Sequence, residues 1–170
     1  MKHQFKGQRG FTLLELLVVV AIMGLISSIA FVSMQHARAE ARDAKRVADI
    51  SAIRNALELY YHDYGVYPDY HLCNNLPAVS ACNSAPGFQP GNWIPSLVPK
   101  YMPTLPNDPL NILDNETNQH YIYLYNRWEA SDEAACQKYF IMYRLETKPK
   151  INECPDEWGG TWSTICGGRF

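Results

Sequence analysis

The chain has 170 residues, of which 47% are apolar and 19% are charged, so it is neither a disordered nor a collagen-like protein. Its formal net charge of −2 argues against general nucleic-acid binding. The charge is unevenly distributed, because residues 1–10 carry three basic and no acidic side chains, whereas residues 11–32 carry one charge, at Glu15.

Residues 11–32 form a segment that is apolar on every side. As an α-helix at about 1.5 Å per residue it would span roughly 33 Å, which matches a hydrocarbon core of about 30 Å. A cleaved secretory signal is the alternative, with Ser27, Ser28 and Ala30 as small residues near a cut. The apolar run is longer than the roughly 7–15 residues of such a signal. The sequence therefore predicts a membrane-spanning helix.

The orientation of this span is indicated by the cysteines rather than by the basic residues. Lysine and arginine lie on both sides of the span, so the positive-inside rule does not decide. All five cysteines follow the span, which favours an oxidising compartment for the C-terminal part. We therefore expect a cytoplasmic N-terminus and an outward-facing C-terminal region.

Glu15 is unusual, because a charged side chain at the bilayer centre costs about 2.5–3.5 kcal/mol. It could lie near the membrane interface and be solvated there. However, it belongs to a specific pattern: a short basic leader, Gly10, Phe11, a glutamate four residues later, and then an unbroken apolar run. This pattern closely resembles the N-terminal signal of type IV pilins and type II secretion pseudopilins.

The resemblance implies a processing and assembly pathway. Residues 1–10 would be a leader peptide, which a prepilin peptidase removes between Gly10 and Phe11 before it N-methylates Phe11. The span would remain on the mature chain, and Glu15 would pair with the N-terminal amine of a neighbouring subunit. The partners implied are further copies of the chain in a homo-oligomeric filament and an inner-membrane assembly platform with a separate ATPase. Direct nucleic-acid binding is not expected.

The second half of the predicted helix, residues 33–64, is amphipathic. Apolar residues recur at spacings of three and four, at Val47, Ile50, Ile53 and Leu57. Gly65 and Pro68 end the pattern, so the sequence predicts one helix over residues 11–64. Arg42, Lys45 and Arg46 are placed on the face opposite the apolar one, within a stretch from Arg38 to Arg46 that has four basic residues. They would contact lipid headgroups or a neighbouring subunit, or form a solvated helix surface.

Residues 65–170 are predicted to form a head domain, which gives a pilin-like α+β fold. Nine of the eleven prolines lie between Pro68 and Pro109, so residues 65–119 are expected to form a long αβ-loop. One short helix is expected around Trp93 to Lys100. The sheet and tail would occupy residues 120–170, with antiparallel strands at 120–127 and 138–147. The glycine pairs at 159–160 and 167–168 indicate a turn-rich tail with at most one short strand.

The five cysteines predict local disulfides rather than a zinc site, since no pair has CxxC spacing. Cys73 and Cys82 bracket an eight-residue loop and are the first candidate pair. Cys154–Cys166 is slightly favoured over Cys136–Cys154 for the second. The remaining cysteine would be free or paired between chains.

Two features bear on ligands in the head. Leu105 to Pro109 resembles the segment before the sheet of G-type major pseudopilins, which bind calcium near their C-terminus. The hard-oxygen candidates here are Asp108, Asp114, Asn115 and Glu116, which match no known calcium motif. No resident cofactor is therefore expected, with calcium kept as the alternative.

The sequence contains no nucleotide-binding or hydrolase motif, so an enzyme is not expected. The function predicted is a structural subunit of a type IV pilus-like filament, most closely a type II secretion pseudopilin that drives protein export. One alternative is a type IV pilin of a surface fibre for adhesion, motility or DNA uptake. Another is a membrane-anchored binding domain that does not polymerise. The pilin-like functions place the chain in the bacterial inner membrane with its head in the periplasm.

Overall fold

The computed structural model describes residues 11–73, 82–85, 91–114, 119–127, 138–154 and 163–168. Contacts divide the chain into two compact units, one that ends at Arg38 and one that begins at Ala39. The first unit is the apolar part of a long helix. The second contains the remainder of that helix and all the strands.

The long helix, α1, covers Leu13–Tyr64 and begins two residues later than the sequence predicts. It ends at Gly65, where φ is 72° and the amide donates to the carbonyl of Tyr61 at 2.7 Å. Glycine adopts this left-handed conformation without steric cost, so it is the natural residue at a helix C-terminus. The predicted end of the helix is therefore confirmed.

The described part of the head contains one 3₁₀ turn, Tyr70–Cys73, and six short strands. The strands are β1 (Cys82–Asn83), β2 (Ile112–Asp114), β3 (Gln119–Tyr121), β4 (Leu124–Arg127), β5 (Lys138–Tyr143) and β6 (Ser163–Gly168). Four of them form an antiparallel sheet in the order β1-β4-β5-β6, and β2 pairs with β3 as a separate hairpin. A long helix with a small antiparallel sheet confirms the α+β pilin-like fold.

The strand predicted over residues 120–127 is divided into β3 and β4 at Tyr123. There the backbone amide donates to the Ser84 hydroxyl at 2.8 Å, and the carbonyl accepts from the Ser84 amide at 3.0 Å. The chain thus leaves the β2 hairpin and joins the main sheet at this residue. The second predicted strand ends at Tyr143, four residues before its expected end.

The short helix expected around Trp93 to Lys100 is wrong, because this stretch consists of turns. Ser96 has a positive φ of 66°, which an α-helix cannot accommodate. Pro99 also lacks the amide that a helix interior needs. The stretch is still buried in part, since Leu97 is fully buried. The Trp93 indole also donates a hydrogen bond to the carbonyl of Pro106 at 3.0 Å.

The core of the head lies between α1 and the main sheet. The helix contributes Ile50, Ile53 and Leu57, all fully buried. The sheet contributes mainly aromatic side chains, at Tyr123, Tyr125, Tyr139 and Tyr143, with Ile141 among them. Each fully buried Leu or Ile contributes about 1.5–3 kcal/mol, so the predicted apolar face of the helix is what holds the sheet.

Two disulfides tie the loops to these elements. Cys73 of the 3₁₀ turn is joined to Cys82 of β1, with Cα atoms 5.3 Å apart. Cys154 is joined to Cys166 of β6, with Cα atoms 5.1 Å apart. The pairs are the two favoured from the sequence, and Cys136 lies outside the described residues. Both connect a residue outside the main sheet to one of its edge strands.

Candidate functional site

The apolar segment of α1 presents its side chains to the surroundings on every face. Phe11 is 80% exposed, Leu13 82% and Ile29 68%. Within the described residues, α1 is the one helix that is long and apolar enough to cross a membrane. Monomeric soluble proteins rarely expose contiguous apolar patches larger than a few hundred Å². This surface therefore requires a cover, either lipid or other protein.

Glu15 has a partner in its own chain, which the sequence analysis missed. Its Oε2 accepts hydrogen bonds from the amide and the hydroxyl of Thr12, both at 3.0 Å. The Glu15 amide donates in return to the Thr12 hydroxyl at 3.2 Å. This is a capping box, with Thr12 at the N-cap and Glu15 at the third helical position. The T-x-x-E spacing before an apolar run was the signal that could have revealed it.

The capping box leaves part of the carboxylate available. Among the described residues, Oε1 of Glu15 accepts no hydrogen bond. Phe11 lies directly before the N-cap, so the backbone ahead of Thr12 is the end of the helix nearest Glu15. A positive group at that end would lie next to the Glu15 carboxylate. Gly10, the other residue of the predicted cleavage site, lies outside the described residues.

A second polar site lies in the head, around Arg46 of α1. Arg46 is fully buried, and its Nε and Nη2 donate to the two oxygens of Asp108 at 2.6 and 3.0 Å. Its Nη1 donates to Asp43 at 2.8 Å and to Glu146 at 2.6 Å. We call Asp43, Arg46, Asp108 and Glu146 the Arg46 cluster. It joins the helix, the segment before β2 and the segment after β5.

The carboxylates of the Arg46 cluster are held by further donors. Asp43 accepts from the amides of Glu146 and Thr147 and from the Thr147 hydroxyl, at 2.8–3.1 Å. Although burial opposes it, these bonds lower the pKa of Asp43. A hydrogen bond from the Arg42 guanidinium likewise lowers the pKa of Glu146. Asp43 and Glu146 are therefore held in their charged forms.

The sequence placed Arg46 on an exposed or membrane-facing surface, and that interpretation is wrong. Arg46 is buried against three carboxylates, and Arg42 is half-buried against Glu146. Periodicity identifies the apolar face of a helix but does not reveal a distant loop that returns to cover the flanking residues. Arg42 and Arg46 thus form ion pairs within the head.

Asp108 does not fit the role of a calcium ligand. Its Oδ2 accepts from Arg46, and its Oδ1 accepts from Arg46 and from the Leu110 amide at 2.8 Å. Asn115, Glu116 and the side chain of Asp114 lie outside the described residues. In the part of the chain that is described, no group of three His, Cys, Asp or Glu side chains is spaced to hold a metal ion.

Comparison with known proteins bears on the N-terminal segment. Residues 5–31 match the family described as the prokaryotic N-terminal methylation motif. The chain is 42% identical over 65 residues to "Type II secretion system core protein G" of Vibrio cholerae serotype O1, covering 38% of this chain and 44% of that protein. The chain thus has an N-terminal methylation motif and is similar to core protein G of type II secretion systems.

Two other relatives match different lengths of the chain. "Type II secretion system core protein G" of Pectobacterium carotovorum subsp. carotovorum is 34% identical over 104 residues, covering 60% of this pilin-like chain and 62% of that protein. "Fimbrial protein" of Pseudomonas aeruginosa is 42% identical over 53 residues, covering 31% of this chain and 34% of that protein. The chain thus spans less than two thirds of the length of these relatives. No solved structure matches it.

Proposed function

We propose that this pilin-like protein is a structural subunit of a type II secretion pseudopilus, polymerised to drive protein export. The observation that carries the proposal is the exposed apolar segment with one carboxylate at its start. In a lone anchor the charge among the apolar residues would serve only the capping box with Thr12. The similarity to relatives named core protein G supports the secretion role.

Processing would create the group that Glu15 needs. A prepilin peptidase cuts between Gly10 and Phe11, which releases residues 1–10 and leaves a positively charged amine on Phe11. The same enzyme then methylates this amine, which keeps its charge. Because the cut precedes the apolar run, the span remains on the mature chain. The matched N-terminal methylation motif over residues 5–31 supports this step.

Assembly would exchange one cover of the apolar segment for another. Before assembly, lipid of the inner membrane surrounds residues 11–32, with the head in the periplasm. In the filament, the helices of neighbouring subunits take the place of the lipid. The Phe11 amine of one subunit would meet Glu15 of the next, so the buried charge is offset only when the register is correct. Energy would come from the separate ATPase of the assembly platform.

A type IV pilin of a surface fibre is the second candidate. The observation that favours it is the match to a "Fimbrial protein", which covers 53 residues. That match is shorter than those to the core protein G relatives, of which one extends over 104 residues. Both candidates use the same processing and the same Glu15 contact, so they differ in the machinery that the filament serves.

Three variants separate the charge of Glu15 from its capping role. Glu15→Gln keeps an oxygen that can accept from Thr12 but removes the charge, and Glu15→Ala removes both. Thr12→Val removes the hydroxyl cap but keeps the charge. Loss of a cap costs about 1 kcal/mol, whereas breaking a buried charge pair costs about 3–5 kcal/mol. We expect both Glu15 variants to lose filaments and Thr12→Val to retain them.

The assay is the recovery of sheared filaments from a host with prepilin peptidase and assembly platform. Membrane extraction of each variant is the control, since insertion must remain normal. Filaments from Glu15→Gln at the wild-type level would show that the carboxylate is only a cap. If the inserted and processed wild-type chain forms no filament in a competent host, it is a membrane-anchored domain instead.

A further inference from the structure

We draw no further inference here: the strongest candidate, the outward face of the head's part of α1, where Ala44, Ala48, Ala52 and Leu59 are exposed, is an unpartnered face of mostly small residues, and nothing in the described part of the structure shows what covers it.

Discussion

Replacing Gly167 by alanine places a methyl group against the ring of Tyr139. Gly167 lies directly opposite Tyr139 across the β5–β6 pair. A Cβ atom at Gly167 would overlap the hydroxyl end of that ring. Because Tyr139 is only 1% exposed, its ring has no solvent-filled space into which it can move. The substitution therefore forces either the ring or strand β6 out of position.

The cost can be estimated from what holds the ring. Tyr139 packs edge-on against Tyr67 at 4.6 Å between centroids and lies 6.2 Å from the ring of Tyr125. Its hydroxyl also donates to Glu58 at 3.4 Å. Overpacking costs about 1–3 kcal/mol, and a lost aromatic pair about 0.5–1.5 kcal/mol. We expect Gly167→Ala to lower the free energy of unfolding by about 3 kcal/mol.

A double-mutant cycle tests whether the Tyr139 ring is the cause. In a Tyr139→Leu background the ring is absent, so Gly167→Ala should cost less than about 1 kcal/mol. The measurement is denaturant unfolding of the full-length chain in micelles, followed by near-ultraviolet circular dichroism. Equal costs in the two backgrounds, or a Gly167→Ala chain as stable as the wild type, would refute the packing argument.

Two further predictions concern the head. Because the folded pKa values of Asp43 and Glu146 are below their ordinary 3.8 and 4.5, their stabilisation is complete above these values and is lost as the pH falls below them. Denaturant titrations at several pH values should show this loss of stability. The raised pKa of Asp49 offsets the loss in part. A rise in stability on acidification would contradict the prediction. Removing the Cys154–Cys166 disulfide, which closes a separation of 12 residues, should lower the free energy of unfolding by about 3 kcal/mol. If reductant leaves the unfolding midpoint of the wild type unchanged, this prediction is wrong.

The long helix could be predicted because its signals are local. The apolar run, the i, i+3, i+4 spacing and the stop at Gly65 are all read within a few turns. The capping box of Thr12 and Glu15 was equally local and could have been recognised from the same residues. The N-terminal part of the candidate site can thus be predicted from residues that are close together in the sequence.

The head was harder to predict because its contacts are distant. Gly167 and Gly168 belong to β6, the one short strand that the tail was free to add, but nothing near them in sequence shows that a residue without a side chain is needed beneath the Tyr139 ring. The sequence also places Arg46 on the outer face of the helix, because nothing near it shows that Asp108 and Glu146 cover it. In both places the partner residues are far away in the sequence.

The central claim is that this chain is a processed filament subunit, and its intact mass tests this most directly. The protein is taken from the membrane fraction of a host with prepilin peptidase, and its intact mass is measured with and without reductant. The account predicts a chain that begins at Phe11 and is heavier by one methyl group. An uncut chain in that host, or a chain that begins near residue 30, would contradict it.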